Sequence, residues 1–273
     1  SGYHLNGLFA GSEGTLGCFT KLTLRVYGIP EHVMAARATF NTIEEAVQAV
    51  TTVLQVGIPI ARVELVDEES IRQVNRHDDM DFEEKPTLFL EFHGNEAGLK
   101  QDVEFTTELM NDAGCQSIQF ETETAARNHL WEARHNLAYS YIHSNPGKKM
   151  MVTDVCVPIS ELSGAIHHAR EQLEAVGLVG GILGHVGDGN FHALVMVDMD
   201  DEKEVELSNR FNESIVHYAL SKNGTCTGEH GVGIGKQKYQ EAEHGEAYHA
   251  MKLIKKALDP NNILNPGKIV KVD

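Results

Sequence analysis

Apolar and polar residues alternate with two different periods along this chain, and the switches between periods mark its elements. A period of two runs over Phe19–Tyr27 and returns over Met34–Phe40, with Pro30 breaking the chain between them. Asn41–Glu45 has the composition of a helix start, the helical pattern continues to Leu54, and Gly57 ends it. Strands are predicted at Ala61–Val66, Thr87–Phe92 and Ser117–Phe120, with a helix at Ala97–Ala113 between the last two. After a long helix over Thr124–His143 the order recurs: strand Met150–Val157, helix Ile159–Val176, strands near Gly181 and Ala193, helix Asp201–Lys222. The pattern predicts an α+β fold, two ferredoxin-like split β-α-β units on one antiparallel sheet covered by helices. Helix Glu246–Leu258, followed by Pro260 and Pro266, reads as a tail that docks elsewhere.

Composition narrows what this fold can serve. With 273 residues, 41% hydrophobic and 23% charged, the chain can bury a core without disulfide staples, which excludes disordered, collagen-like and coiled-coil classes. A net charge of −17 repels nucleic-acid phosphate and anionic lipid, so no nucleic-acid partner is expected. An anionic small substrate would need a local cationic centre, either a metal or a particular arginine. Cys18, Cys115, Cys156 and Cys226 are far apart and form no CxxC pair, which predicts a reducing compartment. No run approaches the ~18 apolar residues of a membrane span, and no signal-peptide pattern opens the chain, so a soluble, cytoplasmic protein is expected. The start at Ser1, close to a glycine-rich turn, reads as a piece of something longer.

The candidate chemistry lies in two short stretches. In Gly184–His192, GHVGDGNFH, a two-residue hairpin turn at Asp188-Gly189 would set Gly187 opposite Asn190, Val186 opposite Phe191 and His185 opposite His192. Two opposed imidazoles can share a metal ion; the same pattern also suits two polar residues on a solvated hairpin. In Thr227–Gly235, TGEHGVGIG, four glycines surround Glu229 and His230, too many for a helix or strand but well suited to a loop that meets a ligand. His185, His192 and Glu229 together make a two-imidazole, one-carboxylate set for zinc, manganese or iron, and His230 could take a proton. Rival motifs fail. Gln237 follows Gly235-Lys236 where a phosphate loop needs Ser or Thr, neither glycine cluster spells GxGxxG, and HExxH and GxSxG are absent. On the long helix, Trp131, Arg134, Ala138 and Tyr141 share a face, where Arg134 could clamp a carboxylate.

These residues, with LFAGSEGTLG at Leu8–Gly17, TDVCVP at Thr153–Pro158 and NPGK at Asn265–Lys268, resemble the FAD-linked oxidase family, in its D-lactate dehydrogenase, glycolate oxidase and D-2-hydroxyglutarate dehydrogenase group. The likeness covers nearly the whole chain. It implies that residues 1–31 are the last piece of an FAD-binding domain, 32–245 a substrate domain with a metal site, and 246–273 a helix and tail returning to the flavin. Gly11, Ser12, Glu13, Gly14, Thr15 and Gly17 would form a backbone wall against FAD, with Asn265 near its ring. His185, His192 and Glu229 match the family's metal ligands, His230 its catalytic base and Arg134 its substrate-carboxylate binder. In the D-2-hydroxyglutarate branch a lysine and an asparagine stand where this chain has Val152 and Leu194, which favours a monocarboxylate such as D-lactate, with glycolate open.

The implied function is oxidation of a D-2-hydroxy acid to the 2-oxo acid with hydride transfer to FAD; the alternative is a non-catalytic metal- or carboxylate-binding module when the chain is separated from its FAD domain. Implied partners are the hydroxy acid and an electron acceptor of unknown identity, and a homodimer is allowed. The resemblance is also compatible with membrane association through the acceptor, and with the mitochondrial matrix in a eukaryote.

Overall fold

The computed structural model describes residues 1–78 and 80–272. The chain divides into two compact units, residues 29–224 and residues 1–28 with 225–273. These boundaries differ from divisions after 31 and 245, because the segment 225–245 packs with the chain's two ends rather than with the sheet.

Short helix α1 (Leu5–Phe9) belongs to the smaller unit. The larger unit runs β1 (His32–Thr39), α2 (Ile43–Gln55), β2 (Ile60–Val66), α3 (Glu68–Asp78), β3 (Thr87–Gly94), α4 (Glu96–Asp112), β4 (Ser117–Glu121) and α5 (Thr124–Ser144). It continues through β5 (Lys149–Val152), β6 (Val155–Cys156), α6 (Leu162–Val176), β7 (Gly180–Gly184), β8 (Asn190–Val197) and α7 (Glu202–Ser221). The strands form one sheet in the order β4-β1-β3-β2-β7-β8-β5, with β6 also on β8. Every pairing is antiparallel. The first half, β4-β1-β3-β2, is a complete split β-α-β unit. The second half supplies β7-β8-β5 in the equivalent order, but no strand follows α7 to complete it among the described residues. The halves join where β2 pairs with β7, Leu65 opposite Gly184 and Val66 opposite Leu183.

Helices α2, α4, α6 and α7 pack together on one side of the sheet, whereas α3 packs on α5. The core beneath α3 and α5 holds Val66, Ile71, Phe89, Trp131, Leu137, Tyr141, Leu183, Leu194 and Met196. Helix α2 starts on a capping box, in which Thr42 Oγ1 accepts from Glu45 N and the Glu45 carboxylate accepts from Thr42 N. Its apolar face is fully buried through Ala46, Val50 and Val53. Three expectations change. The period-two segment Phe19–Tyr27 forms no strand, and its side chains lie open, with Leu24 76% and Val26 85% exposed, because no strand among the described residues pairs it. The strand expected at Met150–Val157 is interrupted at Thr153-Asp154, whose side chains leave the ladder to bond to β8. Helix α3, which the polarity of EESIRQVNRHD concealed, is held by buried Ser70, Ile71, Gln73 and Val74.

In the smaller unit, α8 (Gln240–His244) and α9 (Glu246–Leu258) lead into the tail. Lys255 on α9 is buried, and its ammonium donates to Thr15 O at 2.9 Å, to Leu264 O at 2.7 Å and to the Asp259 carboxylate. Asp259 also accepts from the backbone of Ile263 and Leu264, so one ion pair fixes the end of α9 and the turn after it. Burial, with the Glu243 carboxylate alongside, pushes the Cys226 thiol up to about 12.

Candidate functional site

The two histidines of GHVGDGNFH meet, though not across a two-residue turn. His192 pairs with Leu183, two places from the predicted opposition with His185, and the connection between β7 and β8 is the five-residue segment 185–189. A two-residue turn of that type needs positive φ at both central residues; here Gly189 has φ +77° and Asp188 is not among the positive-φ residues. Asp188 N instead closes onto His185 O at 2.9 Å, and Gly189 O accepts from Val157 N at 3.0 Å, which fastens the loop to the strand edge. His185 and His192 are therefore diagonal neighbours, with ring centroids 5.7 Å apart and nearly perpendicular planes.

Each ring is oriented by an acceptor on Nδ1. His192 Nδ1 donates to Thr153 O at 3.1 Å, and the Thr153 hydroxyl accepts from Ala193 N at 2.8 Å. Asp154 Oδ1 lies 3.6 Å from the same ring nitrogen and accepts from Asn190 Nδ2 at 2.9 Å. This is the local work of the TD pair that interrupts the strand. His185 Nδ1 donates to Glu64 Oε1 at 2.6 Å. A carbonyl and a carboxylate only accept, so each imidazole carries a proton on Nδ1 and is oriented as histidines that ligate a metal through Nε2 are. The donor chemistry fits a divalent ion.

Glu64, which the sequence reading did not single out, ties this pair to the arginine. A bulge between Ile60 and Arg62 shifts β2 by one residue, so Glu64 faces the same side as Phe89, under α5. Continuing the β2–β7 register by one residue sets Glu64 across from His185. Its side chain is 1% exposed and meets Arg134 Nη2 at 3.1 Å and Arg62 Nε at 3.2 Å. Arg62 in turn lies over the Trp131 ring, 3.9 Å from its centroid. Burial raises the Glu64 carboxyl, but the His185 hydrogen bond and the charges of Arg134 and Arg62 outweigh it and hold the group below its usual range. Two guanidiniums against one carboxylate leave a positive surplus, the local cationic centre that a −17 molecule would need for an anion. A cavity of ≈ 200 Å³ opens beside it, lined by Leu54, Ile60, Arg62, Glu64, His185 and Asp188.

The smaller unit carries the other predicted residues. Gly11 and Gly14 have φ of +79° and +71°, and Glu13 itself lies at +50°. The Glu13 carboxylate accepts from Val232 N at 2.6 Å and Gly233 N at 2.8 Å, which binds the loop of Gly11–Gly17 to the loop of Glu229 and His230. Gly231, at φ +81°, lies so close that a Cβ there would stand 2.8 Å from Glu13 Oε1. His230 Nε2 is 3.8 Å from Glu229 Oε1, and both side chains are about half exposed. Asn265 Nδ2 donates to Glu13 O at 2.8 Å, so the tail residue and the glycine loop come together. Ser12 and Thr15 are buried there, Thr15 bonded to Ser12 O, while the Ser12 hydroxyl has no partner among the described residues. That orphaned hydroxyl in a loop of positive-φ backbone fits a cofactor wall. Among the described residues, neither unit gathers three metal-ligating groups by itself.

The split β-α-β sheet bears an oriented histidine pair beside Glu64, buried between Arg62 and Arg134, and a family comparison gives the class: the chain belongs to the FAD linked oxidases, C-terminal domain, matched over residues 29–269. It is 43% identical over 273 residues to the mitochondrial "Probable D-lactate dehydrogenase" of Danio rerio, covering 100% of this chain and 55% of that protein. It is 42% identical over 271 residues to the mitochondrial "D-lactate dehydrogenase (cytochrome)" of Arabidopsis thaliana, covering 99% of this chain and 48% of that one. The chain spans about half the length of these relatives. A solved structure of p-cresol methylhydroxylase with substrate bound shares the fold, with TM-score 0.70 at 15% identity over 99% of this chain and 59% of the other. No helix among the described residues is long and apolar enough to cross a membrane.

Proposed function

We infer that the full-length protein is an FAD-dependent dehydrogenase that oxidises a D-2-hydroxy acid, D-lactate before glycolate, to the 2-oxo acid. The observation that carries this reading is the set of His185, His192 and Arg134 gathered around buried Glu64 and the strand β8, in which two Nδ1-anchored imidazoles stand beside a guanidinium. The relatives' names support the substrate class and a mitochondrial location. Bound FAD would supply the hydride acceptor for C2, and a bound divalent zinc, manganese or iron ion would supply the Lewis acidity that lowers the pKa of the 2-hydroxyl.

The chain's own residues do the rest. His185 and His192, with Glu229, would hold the ion. Arg134, its guanidinium already fixed against Glu64, offers N–H donors to the substrate carboxylate. His230 takes the hydroxyl proton at Nε2 or Nδ1. Val152 and Leu194, directly opposed on β5 and β8, put apolar side chains next to His192 and no charge that would hold a second carboxylate. This supports a monocarboxylate substrate.

The test uses the full-length flavoprotein. D-lactate bleaches the flavin faster than D-2-hydroxyglutarate does, and His230→Ala slows that reduction ~10²–10⁴-fold with metal retained. His192→Ala loses the metal by elemental analysis. A flavin that D-lactate leaves oxidised, or full metal occupancy without His192, overturns the reading.

A further inference from the structure

The proposed chemistry uses Glu64 only as an anchor for Arg134 and leaves its burial and its bond to His185 unexplained. A carboxylate buried to 1% exposure is costly, and a sheet position facing a core of Phe89 and Trp131 would be filled more cheaply by leucine. What distinguishes Glu64 is the division of its two oxygens. Oε1 accepts from His185 Nδ1 at 2.6 Å and from Arg62 Nε at 3.2 Å; Oε2 accepts from Arg134 Nη2 at 3.1 Å and Nε at 3.3 Å. One rigid planar group thus fixes both the ring of an imidazole and the plane of a guanidinium. The bulge in β2 and the β2–β7 register are what bring it between them.

We propose that Glu64 is the positioning residue that couples the metal-ligand imidazole of His185 to the carboxylate clamp of Arg134. The inference rests on the function proposed above. Glu64 accepts the hydrogen bond of His185 Nδ1–H and so favours the tautomer that leaves Nε2 for the metal. It also neutralises one of two arginines, so that Arg134 is held in place without losing the site's positive surplus. An amide cannot do both. Its oxygen accepts from one neighbour while its NH2 can only donate, so Glu64→Gln must either release the guanidinium or turn the His185 tautomer.

In the full-length flavoprotein, Glu64→Gln is expected to weaken metal affinity ~10–100-fold in a chelator competition, as loss of an outer partner of a ligand histidine does. It is also expected to raise KM for D-lactate by more than it lowers kcat. Glu64→Asp, which keeps the charge but withdraws it by one methylene, shows smaller losses of both kinds and serves if the Gln variant does not fold. A third measurement is independent of metal and of turnover: ¹⁵N-histidine NMR of the metal-free protein, assigned with His185→Gln, shows His185 protonated on Nδ1 in the wild type and a mixture of tautomers in Glu64→Gln. If the wild type neither binds metal nor oxidises D-lactate, the function proposed above fails, and the NMR result alone decides the role of Glu64. An unchanged tautomer, or metal affinity and KM both within two-fold of wild type in a folded variant, overturns the positioning role. Loss of metal affinity with KM unchanged overturns the coupling.

Discussion

At the residue scale the site is held by backbone that tolerates one side chain and no more. Gly189 has φ +77°, and a Cβ there would stand 2.1 Å from the carbonyl oxygen of Val157, the residue whose N–H pins the loop through Gly189 O. Gly187, two residues earlier, has no positive φ, and its added Cβ would meet only the Val63 Cγ1 methyl at 2.8 Å. Gly189→Ala therefore adds left-handed strain to a clash with fixed atoms, a cost of roughly 2–5 kcal/mol, whereas Gly187→Ala is relieved by a rotamer shift. Denaturant unfolding followed by Trp131 fluorescence, which reports on the same unit, separates them. Equal losses would mean that the loop is not anchored at Val157. The same logic explains why Gly231 stands over Glu13: a larger residue would push apart the two loops that Glu13 joins.

At the element scale, start signals and periodicity carry most of the fold. The Thr42/Glu45 capping box opens a helix whose buried face runs from Ile43 to Val53, so Thr42→Ala is expected to cost ~0.5–2 kcal/mol without altering the sheet. Urea titration of the variant checks it; an unchanged midpoint would show that packing alone sets the start of α2. The strands and the long amphipathic helices are legible because their apolar residues repeat at fixed intervals. Helix α3 is not, because half of its buried face is Ser70 and Gln73, and polar residues inside a core look like surface in one dimension. Phe19–Tyr27 is the reverse case, a strand pattern with no neighbouring strand to pair it among the described residues. The histidine pair was legible as a pair, yet its register was not, since a five-residue loop and a two-residue turn share the same DG signal. Glu64 stayed hidden for a stronger reason. Arg62 and Glu64, two charges at alternate positions of IARVELV, read as the wet face of a half-buried strand until the bulge and the pairing of β2 with β7 close that face. Charges at i and i+2 inside an otherwise apolar strand were the available signal.

At the scale of the whole molecule, two opposing electrostatic effects set how stability depends on pH. The chain carries a net −17 with pI near 5.3, so self-repulsion weakens as pH falls from 8 toward 5.3 and the folded state gains. Glu64, Glu204, Glu243 and Asp259 act the other way, each held below its ordinary range. For Asp259 the cause is first the Lys255 hydrogen bond, opposed by burial and then reinforced by the backbone N–H groups of Leu264 and Ile263. A carboxyl lowered on folding contributes stability that is complete above its unfolded pKa, 3.8 for Asp259 and 4.5 for the glutamates, and that is lost as pH falls through the lower folded value. Asp67 has the opposite sign: burial raises it despite Arg170, so its contribution is present at low pH and is lost as pH rises through the raised value. The melting temperature is therefore expected to rise from pH 8 toward pH 5.3 and to fall steeply below about 4, where the lowered carboxylates protonate. Asp259→Asn, which cannot ionise, should be less stable than wild type at pH 7, with the gap closing as pH drops below 3.8. Melting curves of both proteins across that range decide the matter. A gap that persists at pH 2.5 would mean that Asp259 acts through its shape and hydrogen-bond count rather than through its charge against Lys255.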